Sequence, residues 1–81
     1  MTSFIKHLPI QDNWTLVFRF TPIYTIDCFY YFITVMDTQR RLSEFRMYEQ
    51  NGDWKIRNVG LIPDFIWAAE KRLSSAIVEH Q

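Results

Sequence analysis

From Trp14 to Phe20 the chain alternates strictly: Trp14, Leu16, Phe18 and Phe20 fall on one side, and Thr15, Val17 and Arg19 on the other. A period of two is the signature of a strand with one buried face. Thr21-Pro22 is expected to end that strand, because proline offers no N–H to a ladder. Cys28 to Met36 is the strongest strand signal, rich in aromatic and β-branched types. Its two faces are both apolar: Phe29, Tyr31, Ile33 and Val35 against Cys28, Tyr30, Phe32, Thr34 and Met36. That pattern predicts a strand that is central or covered on both sides. After a polar connection through Arg40-Arg41, alternation resumes over Leu42 to Glu49, with Phe45 and Met47 opposite Glu44, Arg46 and Tyr48. Asn51-Gly52 then supplies two residues that accept positive φ, which predicts a tight hairpin into a short fourth strand carrying Trp54 and Ile56 inward.

Gly60 breaks the strand pattern, and Pro63-Asp64 opens a helix, since proline suits the first turn and an acid suits the positive end of the dipole. Phe65, Ile66, Ala69, Leu73, Ala76 and Ile77 recur at helical spacing and form the stripe that packs on the sheet. The expected order is β-β-β-β-α within one α+β domain, residues 1–81. An N-terminal arm covers 1–13, the sheet 14–58 and the helix 63–79. Short connections favour a four-stranded antiparallel meander with the C-terminal helix on one face. Residues 3–10 are left open between a short extra strand and an irregular arm.

Four strands at about 4.8 Å spacing span roughly 19 Å, and one helix about 10 Å across covers a single side. The other side carries Val17, Tyr30, Phe32, Thr34, Met36 and Tyr48, with Arg19, Arg46, Lys55 and Arg57 among them and Glu44 the main acid. Such a face is a solvated surface, a homodimer contact (face to face or edge to edge), a dock for another protein, or a stacking platform for single-stranded nucleic acid. Protein contact, self-association above all, is the preferred expectation. Arg19, Tyr30, Phe32, Arg46, Tyr48 and Arg57 are its contact residues. On the helix, Trp67 lies off the core stripe, and the arm at Phe4, Ile5, Leu8 and Ile10 is expected to cover it.

Composition narrows the classes. The chain has 81 residues, 17% of them aromatic, and 9 basic residues against 9 acidic, so no bulk charge draws it to nucleic acid or an anionic membrane. One cysteine cannot staple the fold and suits a reducing compartment. With no basic-apolar leader pattern and no apolar run near 20 residues, a soluble cytoplasmic protein is expected. Cys28 heads a core-like strand, and His7 and His80 lie near opposite ends of the chain, so no nucleophile–base pair is indicated. Two histidines and scattered carboxylates make neither a metal site nor a paired-acid site. Neither glycine sits in a phosphate-loop pattern, and Arg40-Arg41 reads as a solvated turn. The expectation is a non-enzymatic domain without cofactors.

From Trp14 to Glu79 the order of elements resembles the β-β-β-β-α units of single-stranded-DNA-binding families, such as the Whirly and PUR-repeat proteins and a dimeric transcriptional coactivator family. The resemblance implies paired units with curved sheets binding single strands. It extends to topology alone and carries no motif residue by residue.

Overall fold

The structure, a computed structural model, describes residues 2–11, 14–57 and 60–81. Five strands form one antiparallel sheet: β1 (Phe4–Gln11), β2 (Trp14–Tyr24), β3 (Phe29–Met36), β4 (Leu42–Gln50) and β5 (Asp53–Arg57). They run in the order β1-β2-β3-β4-β5, so the meander expected from short connections is present with one strand more. The fifth strand is the N-terminal segment, which pairs with β2 from Phe4↔Phe20 to Gln11↔Trp14. Its pattern of Phe4, Leu8 and Ile10 facing inward is interrupted by Lys6 and Pro9, which hides the alternation. Pro9 fits because β1 is an edge strand, where a missing N–H costs no ladder bond.

β2 does not end at Thr21-Pro22, as expected, but continues to Tyr24, with Pro22 opposite Tyr31. The Thr25 N–H bonds to the Cys28 carbonyl at 2.8 Å, so odd-numbered residues of β2 bond toward β3. Pro22 therefore turns its nitrogen toward the β1 side, where pairing starts only at Phe4↔Phe20. The Asn-Gly hairpin forms as expected, with Asn51 at φ 54° and Gly52 at φ 89°.

The helical region is also divided: α1 (Asp64–Ala68) and α2 (Glu70–His80) meet at Ala69, whose φ and ψ are −90° and 1°. Its N–H is shared between the carbonyls of Phe65 and Ile66, both at 3.1 Å, a tightened turn in place of one continuous helix.

The core is one cluster between the sheet's inner face and these helices, containing Phe18, Phe20, Tyr31, Ile33, Phe45, Met47, Trp54, Ile66, Leu73 and Ile77. The inner-face residues read from alternation are buried there, with two exceptions: Phe29 is half-buried and Trp14 is 49% exposed. Trp14 is the first residue of β2, at the end of the sheet's inner face. The Trp54 indole, whose Nε1 has no hydrogen-bond acceptor among the described residues, packs edge-on to Tyr31 at 5.1 Å and Phe29 at 5.8 Å.

α2 touches both edges of the sheet. Glu70 and Ser74 are one above the other on the helix, about 6 Å apart along its axis, close to the two-residue repeat of about 6.8 Å in a strand. Accordingly Ser74 Oγ accepts the Trp54 N–H (2.9 Å) and a Glu70 carboxylate oxygen accepts the Ile56 N–H (2.9 Å). Arg72 lies about 200° round the helix from Glu70. It donates to the Pro9 carbonyl of β1 at 2.9 Å, and His80 stacks on Phe4 at 3.8 Å. In a flat sheet β1 and β5 would stand about 19 Å apart. One helix meets both because the sheet curls into a half-barrel around it.

Candidate functional site

Curling leaves the outer face convex, and the register sorts its side chains into rows across β2, β3 and β4. One row is Arg19–Thr34–Glu44 and the next is Thr21–Phe32–Arg46. Stepping two residues along each strand adds Val17–Met36–Leu42 at one end and Ile23–Tyr30–Tyr48 at the other. The two end rows differ in exposure. Val17, Met36 and Leu42 are 46%, 52% and 58% exposed; on β1, His7 stands beside Val17, and Ile5, 48% exposed, stands beside Arg19 in the next row. At the other end Tyr30 and Tyr48 stack on each other, with ring centroids 5.0 Å apart, and the Arg46 guanidinium lies over Tyr30 at 5.4 Å. Those contacts leave both tyrosines half-buried.

Of the six residues expected to form the contact, Tyr30, Phe32, Arg46 and Tyr48 thus lie together on β3 and β4. Arg57 stands directly opposite Arg46 on β5. Arg19 is separate, in the row that holds Thr34 and Glu44. Alternation identified Val17 and Met36 as outward. Ile5 and Leu42 were missed: Ile5 lies in the segment whose strand was left open, and Leu42 begins its strand directly after a polar turn. Among the described residues neither Arg19 nor Glu44 has an ion-pair partner; the ion pairs are Arg41–Asp37 (3.9 Å) and Lys55–Glu70 (4.0 Å).

Trp67 is not covered by the N-terminal segment, which is committed to the opposite edge of the sheet as β1. It is 47% exposed and borders a shallow groove of about 780 Å³ with Phe32, Arg46, Tyr48 and Arg57.

The chemistry-bearing residues take local roles. Cys28 is exposed and lies just before β3, not within a core strand. The Thr25 hydroxyl accepts the Cys28 N–H at 3.0 Å and the Asp27 N–H at 3.3 Å, and stands 3.4 Å from the thiol sulfur, so these residues form a side-chain-stabilised turn. In the next connection Asp37 Oδ1 accepts the N–H groups of Gln39 and Arg41, both at 2.8 Å, while Arg40 adopts φ 63°. Arg41 is bound to Asp37 and Gln39, so the Arg40-Arg41 doublet serves its turn. No group of three or more His, Cys, Asp or Glu residues able to hold a metal ion occurs among the described residues. No helix among them is long and apolar enough to cross a membrane. Burial raises the Tyr31 hydroxyl above its ordinary pKa, a hydrogen bond with Gln81 lowers it, and Tyr24 adds to the rise.

No protein-family model, curated protein or solved structure matches the chain.

Proposed function

We propose that the chain is a non-enzymatic protein-interaction module that docks protein, a second copy above all, on its convex outer sheet face. The exposed apolar row Val17–Met36–Leu42, with Ile5 diagonal to Val17 in the neighbouring row, carries this reading. Contiguous apolar side chains left half in water mark an interaction surface far more often than a plain solvated one. Two of the alternatives lose ground. Edge-to-edge continuation of the sheet would need free strand edges, yet Trp54 and Ile56 of β5 already donate to α2, and β1 carries Pro9 with its carbonyl engaged by Arg72. A stacking platform would need open ring faces, yet Tyr30 and Tyr48 present theirs to each other and to Arg46.

Light scattering behind a sizing column, on the wild-type chain and on Met36→Asp, tests the proposal. The wild-type chain is expected to grow in mass with concentration, and Met36→Asp to stay monomeric while folded. Titration with labelled oligonucleotides at low salt separates the nucleic-acid reading, since phosphate contacts are strongest there. A wild-type chain that is monomeric at every concentration and tightens on an oligonucleotide at low salt would replace this reading with that one.

A further inference from the structure

The rows of the outer face have a symmetry in their chemistry. β3 is the central strand of five, so it forms the crest of the convex face. On either side of it, Thr34 is flanked by Arg19 on β2 and Glu44 on β4, and Met36 by Val17 and Leu42. A two-fold axis lying along β3 exchanges the β2 and β4 sides between two facing copies. We propose that the face pairs with a second copy of the chain about such an axis, so that Arg19 of each copy meets the partner's Glu44. The inference rests on the interaction-face reading above and specifies its partner and register.

Each row then meets chemistry that suits it. Val17 lies against the partner's Leu42, and Met36 against the partner's Met36, which closes the exposed apolar row on itself. Thr34 lies on the axis, a small residue between two ion pairs. Arg19 and Glu44 stand about 9.6 Å apart across Thr34 in the same sheet, and among the described residues they form no ion pair with each other. The second copy supplies each with an opposite charge. The face is basic on its β4–β5 side, with Arg46 and Arg57, and uncharged at Thr21 and Ile23 of β2. The axis sets the basic side of one copy over the uncharged side of the other, so cation does not face cation. A parallel shift along the strands, or an axis running across them, would lose either the charge match or the apolar match.

Size bears on the strength of the contact. Two convex faces meet along their crests, so β2, β3 and β4 carry the contact; three strands at about 4.8 Å, with about eight residues at 3.3 Å, cover roughly 380 Å². A standard interface buries about 800 Å² per partner. The dimer is therefore expected to dissociate on dilution.

The test uses sedimentation velocity on four samples: the wild-type chain, Arg19→Glu, Glu44→Arg, and an equimolar mixture of the two variants. Each variant alone sets like charges together twice in the dimer and is expected to self-associate at least about tenfold more weakly. Mixed, the reversed charges complement each other at both contacts, and association is expected to return to the wild-type level or above. A variant that merely damages the fold would not be rescued by mixing. As a second readout, Cys28→Ser/Thr34→Cys is expected to cross-link as dimers with a short bis-maleimide, because the two residues 34 sit on the axis. A wild-type dimer lost in Met36→Asp but unaffected by the charge reversals, or not recovered on mixing, overturns this register and leaves the interaction face standing. A monomeric wild-type chain overturns both.

Discussion

Trp54 and Ile56 turn their backbone N–H groups away from β4, into a layer where water cannot reach Trp54. Two side chains of α2 receive them, Ser74 and Glu70. Removing Ser74 Oγ orphans a buried donor, and that penalty is about 1–3 kcal/mol. Ser74→Ala is therefore expected to lower unfolding free energy by about that amount in denaturant titrations, while Ser75→Ala on the exposed face changes it little. Tyr31 makes a pH-dependent contribution. Its hydroxyl is raised above the ordinary tyrosine value near 10, mainly by burial. The folded chain therefore keeps this proton when the unfolded chain has lost it. Stability from this group is intact below the unfolded value and falls as pH rises through it toward the folded value. Denaturant unfolding at stepped alkaline pH is expected to show that decline, and Tyr31→Phe to flatten it.

Among the elements, the β4–β5 hairpin is set by the most local chemistry. A Cβ at Gly52 would meet no atom within 4 Å, so the only obstacle to a side chain there is its φ of 89°. Gly52→Ala is expected to cost about 1 kcal/mol in thermal or denaturant unfolding, with the fold retained. Elements written in local pattern were legible in the sequence: the alternation of β2, β3 and β4, the Asn-Gly turn, and the stripe from Ile66 to Ile77. Those that depend on distant partners were not. β1 hides its alternation behind Lys6 and Pro9, both admissible at an edge that only the tertiary fold creates. Pro22 stays within β2 because β1 has already ended beside it. Ala69 divides the helix without any glycine or proline to announce it. At the candidate site the same division holds. Alternation placed Arg19, Arg46 and Met36 outward, but only the register shows that Arg19 and Glu44 flank Thr34. The stacking of Tyr30 on Tyr48 likewise needs two strands in a known alignment.

On the scale of the whole molecule, the curl of the sheet decides which surfaces are available. α2 occupies the concave side and bonds to both edge strands, which leaves the convex side of the sheet uncovered. Zero net charge on 81 residues is compatible with the proposed pairing, because Arg19 and Glu44 lie in a single row across β3. The chain contains three methionines, and two of them make an internal comparison: Met36 is half exposed at the crest of the face, and Met47 is fully enclosed in the core. A dilution series followed by methyl NMR of the methionines therefore tests the interaction face directly. The Met36 methyl signal is expected to shift with protein concentration while the Met47 signal holds its position. A Met36 signal that stays fixed across the full concentration range would contradict self-association through this face.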